Sequence, residues 1–203
     1  MYPVCTDSWL TTACSGRRCA PPLMLSVRPW PMSAEIDTVI RESLTSFLDH
    51  VRRIRLPGRE HEAISLYTLC HLIRFVRPGT FLHDPAQICI QGAVPKAVAV
   101  GPKKNQIVNK DLIIWSEPHM TCWDAELCPV VCPSVILEWK VRHRLPHSSR
   151  ATRADDVAKL RTLTSKCPEM IGYSVLLDLR HAPEALSCLP IRAGMSFQEW
   201  EIG

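Results

Sequence analysis

The chain has 203 residues, 46% of them hydrophobic and 22% charged, with 24 Lys and Arg against 20 Asp and Glu and a formal net charge of +4. That is enough chain for one domain with a real hydrophobic core, and too little net charge for a whole-molecule attraction to nucleic acid. No stretch approaches the roughly 20 apolar residues of a membrane span, and the 10 cysteines are scattered rather than spaced as a disulfide framework, so composition points to a reduced, cytoplasmic protein without a membrane partner.

Residues 1–31 are rich in Pro, Cys, Ser and Thr, have no sustained periodicity and carry no continuous apolar signal core. They are expected to be a poorly ordered, dispensable extension, with Met32-Ser33-Ala34-Glu35 resembling a start of translation and residues 32–203 forming one domain. From Ser33, a plausible N-cap, the apolar residues Ile36, Ile40, Leu44, Phe47, Leu48, Val51 and Ile54 recur at helical spacing up to Leu56-Pro57-Gly58. A second helix is predicted from about Arg59 to Val76, with Leu66, Leu69, Cys70, Ile73 and Val76 as its core stripe.

The period then changes. Gln87–Gln91 and Ala97–Val100 read as strands joined by a loop around Gly92 and Pro95; Lys110–Trp115 and Val135–Val141 read as two more. A connector, residues 116–134, separates the last two and is long for a hairpin. After a basic loop, a third helix is expected from about Thr152 to Lys166, with Asp155 and Asp156 favoured in its first turn by the helix dipole. Gly172–Leu179 is an apolar strand, and Phe197–Ile202 adds a short edge strand. This order gives an α/β fold with a mixed central sheet flanked by helices.

The segment Val135–Val141 carries the chemistry. Side chains alternate along a strand, so Ile136, Glu138 and Lys140 share one face and Leu137, Trp139 and Val141 the other. An unpaired charge in so apolar a strand costs several kcal/mol, so Glu138 and Lys140 need each other, a cleft or a metal ion. Asp111, near the start of the preceding apolar strand, approaches Glu138 if the two strands pair. Two carboxylates brought together repel unless a hard cation sits between them, and Mg²⁺ with few carboxylates recruits phosphate oxygens. Lys140 on the same face is suited to charge developing on a phosphoryl group.

Asp111 followed by Glu138-Trp139-Lys140, with a helix before and a helix and strand after, resembles the PD-(D/E)XK phosphodiesterase superfamily over roughly Arg59 to Leu179. The resemblance implies a restriction-endonuclease-like core and Mg²⁺- or Mn²⁺-dependent hydrolysis of nucleic-acid phosphodiesters, with DNA as the expected partner. It implies Asp111, Glu138 and the main-chain carbonyl of Trp139 as metal ligands and Lys140 as the catalytic lysine. It also implies an acid from the first core helix, for which Glu62, in phase with Leu66, Leu69 and Ile73, is preferred to Glu60. Residue 110 is Lys where the namesake motif has Pro, and the chain between Asp111 and Glu138 is longer than a tight hairpin needs. Cutting two strands calls for a homodimer, although no sequence feature marks a dimer face.

Arg142, Arg144, Arg150 and Arg153, with His143 and His147 among them, form a basic loop that could grip backbone phosphates, and Lys159 and Arg161 could extend it. In the connector, His119, Cys122, Cys128 and Cys132 are candidate zinc ligands without the paired spacings of strong zinc motifs. No phosphate loop, dinucleotide fingerprint or nucleophile elbow is present. Two rivals to the nuclease therefore remain: a catalytically inactive nucleic-acid-binding module of the same fold, and an interaction protein with a structural zinc in residues 116–134.

Overall fold

The structure, a computed structural model, describes residues 32–54, 56, 59–95, 107–124, 131–142, 153–180, 183–196 and 198–202. The extension 1–31, the strand expected at 97–100, Cys128, His143, Arg144, His147 and Arg150 lie outside the described residues.

The described elements are helix α1 (Met32–Arg53), helix α2 (Glu60–Cys70), strands β1 (Ile88–Pro95), β2 (Ile107–Ile114) and β3 (Val135–Arg142), helix α3 (Arg153–Lys166), and strands β4 (Ile171–Asp178), β5 (Ala185–Ile191) and β6 (Trp200–Ile202). The six strands form one sheet in chain order. Every adjacent pair is antiparallel except β3 and β4, which run parallel because α3 carries the chain back between them. The protein is thus α/β, with a mixed sheet flanked by helices. No helix among the described residues is long and apolar enough to cross a membrane.

Helix α1 buries the predicted stripe Ile36, Ile40, Leu44, Phe47, Leu48 and Val51. Ile54 falls past the helix end and is 38% exposed, and Ser33 lies inside the helix rather than capping it. Helix α2 differs in phase from its expected stripe. Its buried residues are Ala63, Ile64, Tyr67 and Thr68, while Leu69 is 66% exposed. The inward face is set by Tyr67, whose hydroxyl hydrogen-bonds Ser43 of α1 at 2.8 Å while its ring packs on Trp139 and Phe47. The helix closes at Cys70, and Leu72–Phe75 continues as a 3₁₀ turn.

Alternation along the strands separates two apolar layers. Leu112, Ile114, Leu137, Trp139, Tyr173, Val175 and Leu177 pack on α1 and α2. Ile113, Ile136 and Ile191 pack beneath Leu160 and Leu163 of α3 on the other face. Helix α3 sits close to the sheet because Gly172 of β4 lies under Leu160, where a Cβ would come within 3.2 Å of the leucine.

Strand β1 runs unbroken through Gly92 to Pro95, where a loop was expected. Strand β5 was not anticipated. Its Pro190 stands beyond the three residues, Leu186–Cys188, that pair with β6, so β5 has a single partner strand there. The long connector does not disturb β2–β3 pairing, because it leaves and returns at the same point: Ser134 N–H donates to the Ile114 carbonyl at 3.1 Å. The connector is further tied by Gln87, fully buried, whose amide donates to the Trp115 and Ser116 carbonyls.

The cysteines are not all free thiols, as their scattered spacing suggested: Cys167 is disulfide-bonded to Cys132 of the connector. Cys70, Cys89, Cys122 and Cys188 are free thiols.

Candidate active site

The β2–β3 ladder pairs Leu112 with Leu137, Ile113 with Ile136 and Ile114 with Val135, and ends there. Beyond it, at Asp111 and Glu138, the two strands part. The other neighbour of Asp111 is distorted too. In the β1–β2 ladder, Ile90 pairs with Leu112 and Gly92 with Lys110, but Gln91, opposite Asp111, is skipped. Gln91 has φ +55°, a left-handed conformation that costs a non-glycine residue about 1–2 kcal/mol, and its side chain reaches His61 Nδ1 of α2 at 2.8 Å. Backbone strain of this kind gathers at functional sites. Asp111 therefore sits in a gap opened on both of its sides.

Charged side chains from three layers fill this gap. Asp111 Oδ2 accepts the Trp139 N–H at 2.7 Å, a backbone donor that the missing ladder leaves free. Glu138, 7% exposed, is paired with the ammonium of Lys110, which is 2% exposed. Lys110 shares its strand face with Leu112 and Ile114 on the α1–α2 side, so its side chain crosses the gap to reach Glu138. Lys140 Nζ lies 3.5 Å from Glu60 Oε1 of α2 and 3.1 Å from Asp156 Oδ2 of α3. Lys159, one helical turn on, holds the other Asp156 oxygen at 3.0 Å. Four carboxylates thus face three ammonium groups, one negative charge in excess.

Burial pushes the carboxyl groups of both Asp111 and Glu138 above the ordinary range. For Asp111 the Trp139 N–H opposes that rise and the Glu60 charge adds to it. For Glu138 the Lys110 ammonium opposes it, while Asp111 and Asp156 add to it. Burial by itself pulls Lys140 down, but Glu60, Asp156 and Asp111 outweigh it and hold the ammonium above the usual lysine value.

The residues expected to converge do so in part. Asp111, Glu138 and Lys140 meet at the gap, and Trp139 contributes its N–H there. Glu62 is not among them: its Oε2 is buried without a hydrogen-bond partner, and Glu60 is the α2 acid that reaches Lys140. The reason is the helix phase: Glu60 falls in line with the buried Ala63, Ile64 and Tyr67, whereas Glu62 follows Leu66, which is only partly buried, and Leu69, which is exposed. Asp156, expected only as a first-turn acid favoured by the helix dipole, is 5% exposed and belongs to the cluster.

Arg153, expected to grip nucleic acid, is turned inward instead. Its guanidinium donates to the Ser174 hydroxyl and carbonyl and the Ser187 hydroxyl and pairs with Glu199, tying α3 to β4 and β5. Arg142 is half exposed, with Asp178 3.7 Å away. Arg144 and Arg150 lie outside the described residues.

Two carboxylates and a main-chain carbonyl are the donor chemistry a hard divalent cation takes. Trp139 fits this description, because the N–H and C=O of a strand residue face the same neighbour and its N–H faces Asp111. The donor set suits Mg²⁺ or Mn²⁺ on condition that Lys110 withdraws from Glu138. Among the described residues, no group of three or more His, Cys, Asp or Glu side chains is placed to hold a metal. In the connector, Cys132 is bonded to Cys167, which removes one of the four zinc-ligand candidates.

Compared with protein-family models, with curated proteins and with solved structures, the chain matches none.

Proposed function

We propose that this protein is a metal-dependent nuclease that hydrolyses nucleic-acid phosphodiester bonds, with DNA as its substrate. The observation that carries the reading is the convergence of Asp111, Glu138, Lys140 and Glu60 where β2 and β3 part. The succession of α2, the β1–β2–β3 meander, the α3 crossover and β4 parallel to β3 supports a restriction-endonuclease-like core.

In this reading Asp111, Glu138 and the Trp139 carbonyl hold Mg²⁺ or Mn²⁺, which supplies Lewis acidity toward phosphate and toward water. The chain's own contribution is placement. The Trp139 N–H fixes the Asp111 carboxylate. Glu60 and Asp156 steer Lys140 from opposite layers and keep it cationic, aimed at the charge that grows on the phosphoryl oxygens. Arg142, and Arg144 and Arg150 with it, hold the flanking phosphates. Cleavage of both strands would use two copies of the chain. The setting is read as cytoplasmic, with the Cys132–Cys167 disulfide an exception to the reduced thiols expected there; alkylating free thiols at the moment of lysis tests that placement.

The deciding experiment incubates purified protein with supercoiled plasmid in Mg²⁺ and in Mn²⁺, alongside Glu138→Ala and Lys140→Ala. Nicking lost in both variants supports the nuclease. Plasmid bound but never nicked, in either metal, supports the second reading, a nucleic-acid-binding module that has lost catalysis. That reading is favoured by one observation, the Lys110 ammonium seated on Glu138.

A further inference from the structure

We propose that Lys110 is a built-in counter-ion of the Asp111–Glu138 pair, competing with a divalent cation for Glu138, so that the side chain must swing away before the metal can bind. The inference rests on the reading of this gap as a metal site and concerns how that site is controlled.

The first argument is where Lys110 goes. Strand alternation directs residue 110 to the face of Leu112 and Ile114, among apolar side chains. Its ammonium nevertheless meets Glu138, whose face is that of Ile136 and α3. Only the parting of β2 and β3 after Leu112–Leu137 makes that crossing possible. The gap that lets Asp111 take the Trp139 N–H therefore also admits the lysine.

The second argument is burial. Lysine is almost never fully enclosed unless it is paired, and Lys110 is among the largest fully buried side chains of the protein. Its partner is the carboxylate to which a cation would bind. A lysine ammonium is a compact point charge on a flexible four-carbon stem, so it can take an ion's place beside a carboxylate and can also leave it by rotation about its own bonds.

The third argument is charge. With Lys110 in place the cluster of Glu60, Asp111, Glu138 and Asp156 against Lys110, Lys140 and Lys159 carries one excess negative charge. With Lys110 withdrawn it carries two, which a divalent ion neutralises. Lys140 cannot stand in, because Glu60 and Asp156 already hold it.

The test measures binding of Mn²⁺ alone, by electron paramagnetic resonance of the free ion, to the full chain and to Lys110→Met. Removing a unit charge from beside the metal ligands is expected to tighten Mn²⁺ binding by about tenfold or more. Adding Glu138→Gln to Lys110→Met should abolish the gain. Lys110→Gln, which keeps a donor to Glu138 but not the charge, gives the same comparison if the Met variant does not fold. Equal Mn²⁺ affinity in wild type and a folded Lys110 variant, or a gain that survives Glu138→Gln, overturns the inference. Tighter Mn²⁺ binding with no nicking by any variant would sink the nuclease reading and leave this one standing. Nicking by the wild type with unchanged Mn²⁺ affinity in the variant would do the reverse.

Discussion

His71 closes α2 at 2% exposure, its Nδ1 2.9 Å from the Ser46 hydroxyl and its Nε2 3.0 Å from His50 Nδ1. Burial, with repulsion from His50, Arg74 and Arg53, brings its pKa down from 6.5 to about 4. Because the folded state favours the neutral ring, the unfolded chain takes up the proton first. Stability from this group is therefore complete above pH 6.5 and is lost as the pH falls toward 4. A shift of that size is worth about 3 kcal/mol in full, of which about 2 kcal/mol is gone by pH 5. Acidification unties the joint between α1 and the end of α2. Asp111 and Glu138 work the other way: their raised values give stability that is present in acid and lost as the pH rises through the folded pKa. The wild-type profile alone mixes the two. Urea unfolding at pH 7.5 and pH 5 should therefore be run on wild type and on His71→Asn, which retains a partner for Ser46 but does not titrate. The variant should lose about 2 kcal/mol less than the wild type on going to pH 5. Identical losses in the two proteins would refute the assignment of the shift to a buried neutral ring.

Arg153→Ala should lower stability by about 1–3 kcal/mol in urea, because it strips partners from Ser174 and Ser187, and should leave the salt dependence of DNA binding unchanged. Arg142→Ala should do the opposite, reducing the salt slope by about one with stability nearly intact; a reversed pattern would return Arg153 to the nucleic-acid interface. Trp139→Ala should cost about 3–5 kcal/mol, its ring lying edge-on to Phe47 at 5.5 Å. Trp139→Phe should cost clearly less, because the indole N–H is buried without a partner; equal losses in chemical denaturation would contradict that. Gln91→Gly should melt above Gln91→Ala, both lacking the His61 bond, because only the glycine relieves the left-handed strain, by up to about 1 kcal/mol; an alanine variant melting at or above the glycine one would show that the conformation is not strained.

Much of the architecture was legible because simple patterns governed it. The α1 stripe was strong enough to fix that helix, and β3 announced itself through apolar residues on both faces. Helix α2 was misread because counting leucines gave the wrong face, whereas one tyrosine with a buried hydroxyl partner sets the phase. That error carried directly into preferring Glu62 to Glu60. Strand β5 was missed because Pro190 weakens its signal and only its neighbours make it a strand. For Lys110 a partial signal did exist. The signal is the need of a lysine in one apolar strand and a glutamate in the next for a counter-charge, but alternation sets the two on opposite faces, and the parting of β2 and β3 that lets them meet leaves no mark in the sequence. Asp156 and Arg153 were hidden for a different reason: whether a charge on α3 faces water or the sheet depends on how closely that helix sits over Gly172.

The Cys132–Cys167 bond closes a ring across a sequence separation of 35 residues, and the ring contains all of β3 and α3. If the chain is pulled from its two ends, tension passes through the sulfur atoms and bypasses the ring. About 120 Å of contour length stays out of the load path. Glu138, Lys140 and Asp156 lie inside this sheltered ring, and Glu60, Lys110 and Asp111 lie outside it. Stretching would therefore draw the two halves of the site apart before unravelling the half that holds the lysine of the Glu-x-Lys pair. A single backbone cut within the ring would release no fragment until the disulfide was reduced.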